Sequence, residues 1–221
     1  MNKKVSILFM LTGIAFNVCL LASNLLETKV IDLWGLTATG GLVVFPISYI
    51  INDCITEVWG YRKARLIIWS GFASNFAMIA FSQMVIALPA APFWQGEESF
   101  DFVFGLAPRI AVASLAAFLV GSFLNAAVMS RMKVAMHGRA FSLRAIASTL
   151  AGEAADSCIF FPIAFAGLIP AGEIAVMIAT QAVLKSLYEV IALPVTVRAV
   201  RAIKRAEGED VYDEGISYRI F

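Results

Sequence analysis

Apolar runs of bilayer length recur six times along this chain, and that recurrence leaves few ways for it to fold. They lie near Val5 to Leu26, Leu36 to Trp59, Arg65 to Leu88, Arg109 to Met132, Arg144 to Ile169 and Ile174 to Val200. A helix rising about 1.5 Å per residue needs about 20 such residues to cross hydrocarbon. With 60% apolar and 15% charged residues, the composition lies far from that of a soluble domain. The reading is an all-α, polytopic membrane protein, a bundle of six transmembrane helices. Lys3 and Lys4 ahead of an apolar run resemble a secretory leader, but the run is too long for one and five more follow it.

Cytoplasmic loops carry the excess of Lys and Arg. With both termini cytoplasmic, 14 of the 17 Lys and Arg fall on that side, Lys29 and Arg109 fall outside, and Lys185 lies within the membrane. Residues 1–204 are therefore expected to form the transmembrane domain. Residues 205–221 form a cytoplasmic tail, either mobile or docked on that face. The long external connector carries Phe93, Trp94, Phe100, Phe102 and Phe104 among acids. It is expected to lie along the interface or to lid a cavity. Cys19, Cys54 and Cys158 are odd in number and lie in apolar runs, so they suggest neither a disulfide framework nor a metal site. The single His137 sits in a basic loop, and the chain has no phosphate-binding G-x-x-x-x-G-K-[ST] loop.

Small residues at helical spacing let membrane helices approach one another. Ala113, Ala117, Gly121 and Asn125 form such a stripe. Pro46, Pro162 and Pro194 are expected to kink the second, fifth and sixth helices around a central pocket.

Ionisable side chains at bilayer depth cost about 2.5 to 3.5 kcal/mol each on insertion scales, so each asks for a partner or a task. Helix two carries Asn52, Asp53 and Glu57, helix five Glu153 and Asp156, and helix six Gln181, Lys185 and Glu189. Asp53 and Glu57 share a face, as do Lys185 and Glu189. Glu57 falls near the cytoplasmic rim, as an interfacial acid or a gate pairing with nearby Arg62 or Arg65. Lys185 can be neutralised by Asp156 or Glu153, but one lysine cannot pair with Asp53, Glu153, Asp156 and Glu189 together. The surplus carboxylates point to a binding site or a proton relay. Ser148, Gly152, Asp156 and Phe160 form one strip on helix five. It suits either a flat polar heterocycle or simple core packing. From these residues the chain is a small transporter or solute-binding membrane protein. An assembly scaffold and an intramembrane enzyme remain the rivals.

Five stretches add a resemblance: "ASNLL" from Ala22, "FPISYIINDCITEVWGYRKAR" from Phe45, "RIAVASLAAFLVGS" from Arg109, "ASTLAGEAADSCIFF" from Ala147 and "QAVLKSLYEV" from Gln181. Together they resemble the VUT family of bacterial queuosine precursor transporters. The resemblance implies import, across the bacterial inner membrane, of 7-cyano-7-deazaguanine, its 7-aminomethyl counterpart, or queuine, for tRNA queuosine modification. It implies no enzyme activity, no cofactor, no metal and no direct nucleic-acid contact. The family is also similar to the six-helix substrate-capture subunits of energy-coupling-factor importers. Its members are expected to work alone as homodimers, without an ATP-driven coupling module.

For such a ligand, Asp156 or Asp53 is expected to read the guanine-like edge. Asn24, Gln181 and Lys185 would add hydrogen bonds, and Phe45 or Phe160 would stack on the ring. Arg109 and Ser114 would line the outer entrance, unless Arg109 is a helix-start residue snorkelling outward. Glu57, Glu153 and Glu189 are candidates for gating or proton coupling. The alternatives are a vitamin or other nucleobase carrier on the same six-helix plan, or a non-transporting scaffold.

Overall fold

A computed structural model of the chain describes residues 6–26, 29–33, 36–105, 108–167 and 170–218. Helix α1 (Ile7–Leu26) leads into two antiparallel strands, β1 (Val30–Leu33) and β2 (Leu36–Thr39), and a 3-10 turn over Gly40–Val43. Then come α2 (Phe45–Trp59), α3 (Tyr61–Ile86), α4 (Glu97–Phe104), α5 (Pro108–Ala135), α6 (Phe141–Phe165) and α7 (Ala171–Glu207). The described residues are thus nearly all helical. Stretches Ile7–Leu26, Gly40–Trp59, Tyr61–Ile86, Val112–Ala135 and Ile174–Glu207 are long and apolar enough to cross a membrane. Helix α6 is of similar length, 25 residues, but Arg144, Glu153 and Asp156 interrupt its apolar character.

The hairpin corrects the expected start of the second helix at Leu36 and is a small addition to an otherwise helical architecture. Val30 pairs with Thr39 and Leu33 with Leu36. Hydropathy alone does not separate a strand from a helix in an apolar run. The β-branched residues Val30, Ile31, Thr37 and Thr39, followed by Gly40 and Gly41, favour strand and then turn over helix. Pro46 is a second correction. It lies in the first turn of α2, where its missing N–H has no intrahelical acceptor to lose, so it starts the helix instead of kinking it. Pro162 and Pro194 do lie inside α6 and α7.

Helix α2 is the buried centre. Tyr49, Ile55, Val58 and Trp59 pack with Phe16 and Leu20 of α1, Tyr61 and Ile68 of α3, and Phe118 and Phe123 of α5. The outward faces are the reverse of a soluble protein's. Ile7, Leu11, Ile14 and Val18 of α1, Phe76, Phe81 and Met84 of α3, and Val183, Leu187, Ile191 and Val195 of α7 are all exposed. Apolar side chains ringing a polar interior suit a lipid solvent.

The small-residue stripe brings α5 and α6 together against α2. A Cβ on Gly121 would stand 2.5 Å from the Tyr49 hydroxyl and 2.9 Å from the Gly152 carbonyl oxygen. One on Gly152 would stand 2.7 Å from the Tyr49 ring and 2.9 Å from Asn125. Neither position has room for a side chain.

Both described chain ends gather at one end of the bundle, where the Ser6 hydroxyl donates to the Glu207 carboxylate at 2.5 Å. Helix α7 runs past its expected end at Val200 to Glu207. The segment beyond it docks rather than floats. Val211 N–H donates to the Val58 carbonyl at 3.1 Å, and Asp213 accepts from Tyr61 N–H at 2.7 Å and from the Ser130 hydroxyl at 2.5 Å. Tyr218 meets Tyr61 edge to face at 5.0 Å. At the opposite end, the aromatic connector folds into α4, with Glu97 and Glu98 in its first turn, where negative charge complements the helix dipole.

Candidate substrate-binding site

Three helices present polar residues at four-residue steps toward a common interior. Helix α2 offers Phe45, Tyr49, Asp53 and Glu57, and α6 offers Arg144, Ser148, Gly152 and Asp156. Helix α7 adds Lys185 and Glu189. Because α2 and α6 run antiparallel, Glu57 meets Arg144 while Asp53 meets Ser148. The interior thus divides into three levels over the roughly 18 Å that twelve helical residues span.

The level nearest the chain ends is cationic. Glu57 is fully buried and takes a two-pronged contact from the Arg144 guanidinium. The Lys204 ammonium stands 2.6 Å from Glu57 and the Lys133 ammonium 3.9 Å away. Asp210 of the tail joins them at 2.5 Å from Lys133 and 2.8 Å from Lys204. Partial burial pushes the Asp210 carboxyl up, but hydrogen bonds from Lys133 and Lys204 prevail and hold it below the ordinary carboxylate range. Glu57 is therefore not a rim acid pairing with Arg62 or Arg65. Its partners come from α5, α6 and α7.

The middle level holds Asp53, which accepts from the Ser148 hydroxyl at 3.2 Å. The Glu189 carboxyl lies beside that of Asp53 and next to the Thr149 hydroxyl. Asn52 and Asn125 tie α2 to α5. The Asn52 amide donates to the Ser122 carbonyl at 3.3 Å, and the Asn125 amide donates to Thr149 at 3.4 Å.

In the third level the Lys185 ammonium stands 2.9 Å from Glu153 and 3.5 Å from Asp156. It also lies 4.1 Å from the centroid of the Phe45 ring, a desolvated cation–π contact. The expected pairing of Lys185 is present, with both acids at once. Phe45 packs on Tyr49 at 5.5 Å between centroids, and the buried Tyr49 hydroxyl has no hydrogen-bond partner among the described residues.

The structure thus joins Phe45, Asp53, Glu57, Glu153, Asp156, Lys185 and Glu189 in one interior. Half-buried Gln181 lies one turn before Lys185 on α7. Asn24 and Ser114 fall elsewhere. The Asn24 amide donates to Asn75 at 2.7 Å and Ser114 donates to Asn24 at 3.4 Å, linking α1, α3 and α5. Phe160 packs with Phe161 and Phe165 at 5.3 and 6.1 Å. Arg109 lies in the first turn of α5, with its side chain outside the described residues. Sequence reasoning missed Tyr49, Arg144, Lys133 and Asn125 as members of this interior. The two four-residue steps from Phe45 to Asp53, with Tyr49 between them, were the available signal for Tyr49.

A family model described as a putative vitamin uptake transporter matches residues 39–199. A probable queuosine precursor transporter of Bacillus subtilis is 30% identical over 201 residues, covering 90% of this chain and 86% of that protein. The queuosine precursor transporter of Escherichia coli is 31% identical over 144 residues, 65% of this chain and 62% of its own length. A probable queuosine precursor transporter of Haemophilus influenzae is 33% identical over 132 residues, 58% of this chain and 52% of that one. No solved structure matches. The match spans the ladders of α2, α6 and α7 that build the interior, and the chain belongs to the putative vitamin uptake transporter (VUT) family, as a multi-pass protein of the bacterial inner membrane that transports and is not an enzyme.

Proposed function

We propose that this chain imports queuosine precursors, 7-cyano-7-deazaguanine, 7-aminomethyl-7-deazaguanine or queuine, through the α2–α6–α7 interior. The observation that carries this reading is the third level, where Lys185 bridges Glu153 and the less tightly held Asp156 beside an aromatic face. A guanine-like edge presents N1–H and a 2-amino group side by side, which one carboxylate accepts as a pair. Asp156 is the better reader of that edge because it retains 8% exposure, whereas Asp53 has none. Lys185 or the unpartnered Tyr49 hydroxyl donates to the carbonyl oxygen, and Phe45 packs on the ring. Gln181, one turn before Lys185, adds a further hydrogen bond. Asn24, Ser114 and Arg109 belong to the outer approach, and Phe160 to its wall. The names of the relatives point to the same substrate class.

In this reading six helices, α1, α2, α3, α5, α6 and α7, cross the membrane with both termini cytoplasmic. The 14-to-2 division of Lys and Arg and the Ser6–Glu207 contact support that orientation. The protein works as a homodimer without an ATP-driven module, and residues 205–221 form its cytoplasmic tail.

Thermal stabilisation of the purified protein by 7-cyano-7-deazaguanine, its aminomethyl form, queuine and guanine tests the assignment, since a ligand that binds only the folded state raises the melting point. A shift with a deazaguanine, lost in Asp156→Asn, is expected. No shift with any of the four in folded wild type would instead favour a vitamin carrier on the same plan.

A further inference from the structure

The middle level is chemically unlike the levels on either side. Three cations, Lys133, Arg144 and Lys204, surround Glu57 and Asp210. One cation, Lys185, is committed to Glu153 and Asp156. Between them, Asp53 of α2 and Glu189 of α7 place two carboxyls side by side, 0% and 1% exposed.

The groups that face this pair supply little positive charge. From α6 come the Ser148 and Thr149 hydroxyls, and from α5 the Asn125 amide. Tyr49, Cys54 and Glu57 are its titratable neighbours on α2, and Lys185 stands one turn away on α7. Arg144 and Glu153 flank it along α6, each already in an ion pair. Neither oxygen of Glu189 meets a donor with full hydrogen-bond geometry among the described residues. Two ionised carboxylates in contact, out of reach of water, repel each other strongly. A proton on one of them turns that repulsion into a hydrogen bond to the other.

The geometry points to a proton-binding site in which Asp53 and Glu189 hold one proton between them, and its loading and release couple transport to the proton gradient. The pair joins α2 to α7, the two helices that also hold Phe45 and Lys185. A rearrangement that opens the site to one side must therefore separate or expose the two carboxyls. One proton enters from the side facing the pair and leaves to the other in each cycle, with no covalent change in the substrate. The coupling role rests on the transport reading above, whereas the shared proton does not.

Two measurements on the full-length protein separate these parts. Infrared spectra of the wild type in nanodiscs at neutral pH should contain the C=O stretch of a neutral carboxyl that disappears in Glu189→Gln. Its absence from the wild-type minus variant difference would overturn the shared proton, whatever the substrate. In proteoliposomes, an inward proton gradient should raise initial uptake of 7-cyano-7-deazaguanine several-fold, and a protonophore should abolish the gain. Glu189→Gln should still be stabilised by the base yet take it up at a rate indifferent to the gradient. Wild-type uptake that ignores the gradient, or a variant that still responds to it, would overturn the coupling. If Glu189→Gln does not fold, Asp53→Asn serves in its place. Failure of every base to stabilise the wild type would count against the substrate assignment and leave the infrared band to decide the proton site.

Discussion

Glu57 shows how much a single buried residue can depend on its surroundings. A carboxylate with no exposure to water is tolerable only while cations surround it, and Arg144 is the closest of its three. Arg144→Met leaves that carboxylate short of its two-pronged partner, so we expect a loss of about 3 to 5 kcal/mol. The double variant Glu57→Gln/Arg144→Met should recover part of the loss, read as apparent melting temperature in detergent. Asp156→Asn turns an amide N–H toward the donors of a guanine edge. Losing a charge-assisted pair worth about 1.5 to 3 kcal/mol weakens deazaguanine binding by about tenfold to a hundredfold, measurable by titration. Asp210 sets a pH dependence of its own. Its folded carboxyl is more acidic than the unfolded one, so its stabilisation is complete above the unfolded value near about 3.9 and is lost as pH falls through the lower, folded value. Protease cleavage between Gly208 and Tyr218 should therefore stay slow from pH 5 to pH 8 and accelerate only in strong acid.

The elements were unevenly legible in the sequence. Six helical segments follow from apolar length, and the stripe from Ala113 to Asn125 announced the close contact of α5 with its neighbour. That contact makes a prediction: Gly121→Val or Gly152→Val forces a side chain against the Tyr49 ring or hydroxyl at under 3 Å. Overpacking of this kind costs about 1 to 3 kcal/mol or more, and the melting temperature should fall accordingly. The hairpin was not legible, because hydropathy treats Leu36 to Thr39 and the α2 sequence alike. The site was half legible. Spacing placed Asp53 with Glu57 and Lys185 with Glu189, but which helix faces which is a tertiary fact. Arg144 therefore read as the cytoplasmic start of the fifth helix, with nothing in the spacing to pair it with Glu57 across the antiparallel α2–α6 contact. The link of Asn24 to Asn75 and of Ser114 to Asn24 was not legible for the same reason, since it joins three helices.

At the scale of the whole molecule, the two chain ends and the tail close one end of the bundle. Truncation after Glu207 removes Asp213, the acceptor of Tyr61 N–H and of Ser130, and takes Asp210 from Lys133 and Lys204. Each buried donor left unsatisfied costs about 1 to 3 kcal/mol. The truncated protein should melt lower, while an engineered cysteine at Ser6 and one near Gly208 should both be labelled only from the cytoplasmic side in wild type.

Helix α2 has only 15 residues, about 22 Å of rise against a hydrocarbon layer of about 30 Å. In the orientation proposed above, its outer end at Phe45 stops short of the far headgroups, and the 3-10 turn lengthens the apolar stretch to Gly40–Trp59, 20 residues. A bilayer of short acyl chains should suit this central helix better than a thick one. Initial uptake in vesicles of graded chain length should then peak at the thinner end of the series, and the membrane itself becomes a variable that tunes the carrier.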